Sequence, residues 1–225
     1  MNGVLYLSGG GGRDKGTLEA LDAQTGKLIW KSSLVLAATA VANGVVYGGS
    51  SSGNVYALDA STGTLIWTYQ TNSVPANSAP TVVNGVVYIE VGDGVYALNA
   101  QAGTLLWKYT VNTEQASPTV SPTVANGVVY FGAVTNNVSN VYALDAQTGT
   151  LLWKYKTDIY NITPTAAVAN GLVYIGSSSG IVYALNARTG KQLWSYPDGK
   201  YTPVVAVKGR LFLIGYGTVY GMVPK

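Results

Sequence analysis

One ten-residue phrase constrains this chain more than anything else in it. Leu-Asp-Ala-Gln-Thr-Gly-Lys-Leu-Ile-Trp, at 21–30, returns with small changes at 58–67, 98–107, 144–153 and 185–194. Its closing residues are Trp30, Trp67, Trp107, Trp153 and Trp194, separated by 37, 40, 46 and 41 positions. A second phrase, Asn-Gly-Val-Val-Tyr, begins at Asn43, Asn84 and Asn126, with relatives starting at Asn2, Asn170 and Lys208. A fixed period in the range of roughly 20–50 residues means stacked repeats, each unable to bury its own faces.

Within a repeat the signals are those of short antiparallel strands, here lettered A to D, with no helical segment. In 121–156 the order is Ser-Pro-Thr-Val-Ala, Asn-Gly, Val-Val-Tyr-Phe-Gly, a loop, Val-Tyr-Ala-Leu-Asp, a turn, and Thr-Leu-Leu-Trp-Lys-Tyr-Lys. Asn126-Gly127 between two β-branched runs predicts a two-residue hairpin whose central residues both take positive φ. The second turn, Asp145 to Gly149, sets an Asp to bond turn amides and a Gly for a left-handed position. Alternation around each Trp puts Trp and Tyr on one side of strand D. The five Trp residues are therefore expected to pack sheet against sheet, each burying roughly 150–250 Å².

Four-stranded units that must stack, and whose edges need protection, fit a β-propeller. The run Ala-Leu-Asp-Ala-x-Thr-Gly-x-Leu-x-Trp also resembles the tryptophan docking motif of the quinoprotein-type propellers known as PQQ-like repeats. That resemblance spans essentially the whole chain. It implies the architecture and leaves activity open, because many proteins with these repeats bind no quinone, among them a lipoprotein of the outer-membrane barrel assembly machinery.

The fold expected is all-β: one propeller domain over 1–225, with repeats at about 1–33, 34–72, 73–112, 113–157, 158–198 and 199–225. Six central hairpins argue for six blades of four antiparallel strands. The first blade lacks strand A and the last lacks strand D. The alternatives are a fragment of a longer ring and an end completed by a second copy, since bare strand edges invite strand addition.

Composition decides which chemistries are open. The 225 residues include no His and no Cys, which removes imidazole bases, thiolate nucleophiles, Cys/His zinc sites and disulfides. Thirteen Lys/Arg against ten Asp/Glu give a net charge of +3, spread without a basic stripe, so nucleic acid is not an expected partner. Charge-free stretches exist, but Gly, Pro, Asn and Ser interrupt them before the ~18 apolar residues of a transmembrane helix. No signal peptide is visible at Met1. Two Asn-x-Ser/Thr sequons, at Asn137 and Asn161, suit chance in a chain rich in Asn and Thr.

PQQ dehydrogenases of this family, by resemblance, hold the quinone with calcium through carboxylate and amide ligands, an Asp base and often a cysteine pair. Here no Cys occurs, and Asp22, Asp59 and Asp145 sit in the repeat turn where Asn99 and Asn186 substitute for them. The other acids form no calcium-loop pattern. Glu90 with Asp93 is the one close pair, expected in a solvated hairpin loop and unsuited to glycoside hydrolysis across a cleft. Glu19 replaces the strand-C Tyr found at 56, 96, 142, 183 and 220. No catalytic, cofactor-binding or metal-binding residue is assigned, and no cofactor is expected.

Repeat geometry sends the A-B and C-D turns to one end of each sheet and the B-C loops and D-A segments to the other. The turns are nearly identical between repeats, whereas the loops differ. Loops on a rigid scaffold commonly carry function, and most non-repeat charge is there. The candidate binding residues are Arg13, Asp14, Lys15, Glu90, Asp93, Glu114, Asp158, Tyr160, Asp198, Lys200 and Tyr201, the two tyrosines as aromatic anchors. The expected role is a non-enzymatic binding or scaffold module outside the cytoplasm, for a protein or surface ligand. A PQQ-dependent dehydrogenase and a structural repeat of a larger surface assembly are the alternatives.

Overall fold

The structure, a computed structural model, describes residues 3–8, 17–73, 76, 78–111, 121–135, 138–157, 166–176 and 181–197, and the strand backbone of 204–207, 210–215 and 218–222. Every regular element among them is a β-strand. By internal contact the chain divides into two compact units, 1–108 and 109–225.

The first unit opens with a three-stranded sheet, β1 (Val4–Ser8), β2 (Leu18–Asp22) and β3 (Leu28–Ser32). A four-stranded sheet follows in chain order: β4 (Ala38–Ala42), β5 (Val45–Gly49), β6 (Asn54–Asp59) and β7 (Leu65–Gln70). Next come β8 (Thr81–Val83), β9 (Val86–Val91), β10 (Gly94–Asn99) and β11 (Leu105–Thr110), again in simple order. The boundary between the units falls inside β11.

The second unit repeats the pattern with β12 (Thr123–Ala125), β13 (Val128–Thr135), β14 (Val138–Asp145) and β15 (Leu151–Lys156). A further sheet comprises β16 (Ala167–Ala169), β17 (Leu172–Gly176), β18 (Val182–Asn186) and β19 (Gln192–Tyr196). Last come three strands, β20 (Val204–Val207), β21 (Arg210–Gly215) and β22 (Thr218–Met222). The described residues thus form four complete up-and-down blades and a three-stranded blade at either end, the first without strand A and the last without strand D.

Local sequence explains each blade. At the A-B hairpins Asn43, Asn84, Asn126 and Asn170 all lie near φ +50° and their glycines near φ +76°, the left-handed pair that a type I′ turn requires. At the C-D turn the Asp22 Oδ1 accepts the amides of Gln24 at 3.1 Å and Thr25 at 2.7 Å. Asn99 and Asn186 serve equally well because the bond needs only an acceptor oxygen. Strand D then departs from regular pairing. Ala57 faces Trp67 but Leu58 faces Leu65, so Ile66 is an extra residue, and the same bulge recurs opposite Trp30, Trp153 and Trp194. Both residues before these tryptophans stay exposed, apart from half-buried Gln192.

Cores form between successive sheets inside each unit. In the first unit, Trp30, Leu36, Val46 and Leu58 join the first two sheets, and Tyr47, Trp67, Val87, Ile89 and Tyr96 join the second to the third. In the second, Tyr130, Trp153, Val173, Ile175 and Tyr183 play the same part. The A strands of neighbouring sheets touch, β4 with β8 and β12 with β16 and β16 with β20. Their small residues, such as Ala38 to Ala42, allow that approach.

Candidate interaction face

The two ends of a blade are built by different bonds. At the turn end, one residue ties neighbouring sheets together. The Ala60 amide donates to the Gly44 carbonyl of its own A-B turn at 2.9 Å. The Ala60 carbonyl accepts the Trp30 indole N–H at 2.9 Å and the Tyr6 hydroxyl at 2.9 Å from the preceding sheet. Ala100 receives Trp67 and Tyr47 in the same way, and Ala187 receives Trp153 and Tyr130. In each pair the Tyr and Trp rings sit 5.9 Å apart at 45–48°.

Glycine is obligatory in this dock for two reasons. Gly63 has φ +72°, and a Cβ on it would lie 2.6 Å from the Trp30 ring. Gly103 and Gly190 stand in the same relation to Trp67 and Trp153. Trp107 and Trp194 complete the series of five, Trp107 buried beside Tyr88 and Trp194 half-buried beside Tyr174.

A cleft of about 650 Å³ opens at this turn end, lined by Val4, Tyr6, Val41, Asn43, Asp59 and Ser61 among others. In that lining the Tyr6 hydroxyl and one Asp59 oxygen are engaged by the fold. Asp59 accepts from Ser61 and Thr62, hydrogen bonds that hold its carboxyl below the ordinary range, and burial raises the Tyr6 hydroxyl.

At the loop end hydroxyl side chains reinforce backbone bonds between the D-A segment and the B-C loop. The Thr71 hydroxyl donates to the carbonyls of Gly53 at 2.6 Å and Ser73 at 2.8 Å, and Thr157 donates to Ser139 at 3.0 Å. These bonds place the start of each D-A segment against the B-C loop of its own blade. Ser78 grips β9 twice, donating to the Glu90 carbonyl at 2.9 Å and accepting the Glu90 amide at 3.0 Å. Sequence reading missed these staples. The signal was present as a hydroxyl residue two places after Tyr69 and Tyr155, recurring after strand D.

Of the candidate binding residues, Arg13, Asp14, Lys15, Glu114, Asp158, Tyr160, Asp198, Lys200 and Tyr201 lie outside the described residues. So do both sequon asparagines, Asn137 and Asn161. Glu90 departs from expectation. It is the fifth residue of β9, faces Val95, and is 3% exposed. The B-C connection contracts to Gly92-Asp93 because Val91 still pairs with Gly94, so Glu90 lies in the sheet and no solvated loop holds it. β13 and β14 extend their hairpin in the same way, β13 to Thr135 and β14 from Val138.

Asp93 does reach the loop end, but in company. Its Oδ1 accepts the Tyr96 hydroxyl at 3.0 Å, and its Oδ2 pairs with Lys108 Nζ at 2.5 Å. Lys108 Nζ also lies 4.9 Å above the Tyr96 ring. Burial pulls the Lys108 ammonium down, and the Asp93 and Tyr96 interactions outweigh it, leaving it raised. Burial is the main reason that the Tyr96 hydroxyl is raised as well. Glu19 forms a comparable cross-strand pair with Lys31 at 2.9 Å, whose hydrogen bond and charge lower its carboxyl.

Among the described residues no three acids gather where a metal could be held, and none of their helices is long and apolar enough to cross a membrane. The described acids are turn formers, ion-pair partners or, at Glu90, buried in a strand. Together these described acids do not form the carboxylate shell that a calcium-bound quinone needs.

Comparison with known proteins fits this geometry. BamB from Moraxella catarrhalis superposes with a TM-score of 0.74 at 20% identity, over 92% of this chain and 66% of that one. The quinohemoprotein alcohol dehydrogenase of Comamonas testosteroni gives 0.69 at 18% identity, over 90% and 42%. The computationally designed Ika8 protein gives 0.65 at 16%, over 100% and 81%. These likenesses establish the β-propeller fold, and the chain spans less than two thirds of the two natural proteins. No curated protein sequence matches. A family model described as outer membrane protein assembly factor BamB matches residues 14–220, so the chain belongs to that family of PQQ-like repeat proteins.

Proposed function

We propose that this protein is a non-enzymatic scaffold that binds a protein or surface ligand through the loop end of its blades. One observation carries the reading: the turn ends repeat the same bonds blade after blade, while the loop segments differ in length and in charged and aromatic residues, with a threonine staple shared by only two blades. A surface that is free to vary on a frame that is not is suited to recognition. Family membership supports it, since the matching family is described as an assembly factor for outer membrane proteins. The same description supports a location outside the cytoplasm. The candidate contact residues are charged and aromatic loop residues read from the sequence, Arg13, Asp14 and Lys15 in the first repeat and Tyr160 and Tyr201 in later ones.

The test is crosslinking and pull-down from cells that make the protein, comparing the parent with a variant carrying Arg13→Glu, Lys15→Glu, Tyr160→Ala and Tyr201→Ala. Loss of the captured partners at unchanged melting temperature supports the loop end. Unchanged capture of every partner refutes it. The dehydrogenase reading is tested by adding quinone and calcium. A shift in melting temperature with dye reduction in the presence of an alcohol would replace the scaffold reading with an enzymatic one.

A further inference from the structure

The interface between the first and second sheets lacks a side chain that later interfaces carry. Two places after Trp67 and Trp153 stand Tyr69 and Tyr155. Their rings pack on the strand-C tyrosines of the next sheet, Tyr96 and Tyr183, with centroids 6.3 and 6.0 Å apart. Two places after Trp30 the residue is Ser32. The strand-C tyrosine of the next sheet, Tyr56, is half-buried, whereas Tyr96 and Tyr183 are 1% and 2% exposed. A second side chain is missing from the same ring. Lys108 and Lys154 lie over Tyr96 and Tyr142, but the strand-D residue paired with Tyr56 is Thr68. Tyr183 stays buried with Ser195 in that position, so absence of the lysine alone does not uncover a ring.

The connecting chain is also short here. Residues 33–37 join β3 to β4, five residues against the ten of 71–80 and of 157–166. On this connection Leu34 packs against the same core cluster as Tyr56, and Val35 is 44% exposed. Polar groups border the ring. Asn54 Nδ2 donates to the Tyr56 hydroxyl at 3.1 Å and to Ser52 Oγ at 3.4 Å, and Ser52 meets Ser50 at 2.8 Å. These bonds orient the amide and leave its Oδ1 as an acceptor that no described residue uses. The described charges of these two sheets point elsewhere. By strand alternation the Glu19–Lys31 pair lies on the opposite face from Ser32, and Asp22 and Asp59 are bonded in turns at the far end.

We propose that this opening binds a neutral sugar, with one pyranose ring stacked by its C–H face on Tyr56 beside Leu34. Its hydroxyls bond to Asn54 Oδ1 and to the Thr68 and Ser52 hydroxyls. A pyranose is apolar on its face and hydroxylated at its edge, which matches an aromatic ring bordered by an uncharged amide and hydroxyls. An aliphatic peptide side chain would cover the ring and leave the Asn54 acceptor unpaired, a costly arrangement. The site lies at the loop end but uses none of Arg13, Lys15, Tyr160 and Tyr201. Either reading can therefore fail while the other holds.

The test is saturation-transfer difference NMR of the intact protein with maltose, cellobiose and N,N′-diacetylchitobiose, each titrated. The expected result is saturable transfer to the ring C–H protons of at least one of them. Ser32→Tyr, which restores the ring carried by the later interfaces and fills the opening, should weaken that binding by about 10-fold or more, with no fall in melting temperature. Thr68→Lys, an exposed change that gives Tyr56 the cation its counterparts have, is a second route to the same loss; where the two variants differ, Ser32→Tyr decides. Absence of saturable transfer from all three sugars, or equal transfer in the parent and both variants, overturns the proposal. Binding of N-acetyl-leucinamide that Ser32→Tyr abolishes, with no sugar bound, overturns it too, because the opening would then take a peptide side chain.

Discussion

The blade interface that receives Trp30 and the open face of the first blade are the same structure in two states. Both have the alanine amide tied to the A-B turn, a left-handed glycine and an apolar strand B behind them. The difference is one tyrosine and one tryptophan from a preceding sheet. Where these are present the strand-B residue at the register of Val46 has no exposed surface; where they are absent, Leu5 is half exposed. The repeat motif therefore works as a plug and socket. Its two halves lie on different blades, and no single repeat is stable on its apolar faces without a neighbour.

The strongest way to break this comparison is to remove a plug. Trp67→Ala leaves a cavity between two sheets and orphans the Ala100 carbonyl from its indole donor. A loss of about 3–5 kcal/mol is expected in urea unfolding. Altering the socket comes next. Gly63→Ala combines a left-handed alanine with overlap onto the Trp30 ring and should cost roughly 2–5 kcal/mol. Gly26→Ala meets open space, so only the backbone penalty of about 1–2 kcal/mol should remain. Equal losses for the two glycines would show that the ring contact contributes nothing.

Smaller effects are expected at the loop end. Thr71→Val removes a hydroxyl bonded to two carbonyls and should cost about 1 kcal/mol by the same unfolding assay. Lys108→Met breaks a partly exposed ion pair with Asp93, and no more than about 1 kcal/mol is expected, declining with added salt.

The smallest effect is in the acid limb of the stability curve. Hydrogen bonds from Ser or Thr hydroxyls and from backbone amides lower the carboxyls of Asp22, Asp59 and Asp145. A lowered folded pKa gives stability that is present above the unfolded carboxylate value and lost as pH falls through the folded one. Replacing all three by Asn, as the chain itself does at Asn99 and Asn186, should keep neutral-pH stability and flatten that acid loss. Unfolding at neutral pH and at pH 3 distinguishes the outcomes.

Much of this was legible in the sequence, and the reason is repetition. Asn-Gly, present five times, and the Asp/Asn-to-Gly turn, present five times with Asp in three of them, each dictate a local backbone, and their recurrence in register turns a weak signal into an architecture. The missing first and last strands were legible too, from where the phrases stop. Glu90 was misread because the loop around it was inferred by comparison with longer neighbours, whereas Val91 and Gly94 extend the hairpin by pairing. Thr71 was passed over because its recurrence at Thr157 is interrupted by Val111 in the blade between, and Ser78 because a single hydroxyl in a polar segment has no period to reveal it. The exposure of Leu5 and Leu7 is set by packing: Ala23 and Gly26 match their counterparts in the turn, and only a neighbouring sheet distinguishes a buried face from an exposed one.

Whether the varied end of the blades is the binding end decides the account. The direct measurement is crosslinked capture by the parent and by the loop-end variant in Arg13, Lys15, Tyr160 and Tyr201, with melting curves recorded on the same samples. The account predicts superimposable melting and loss of the captured partners in the variant. Superimposable melting with every partner retained would contradict it.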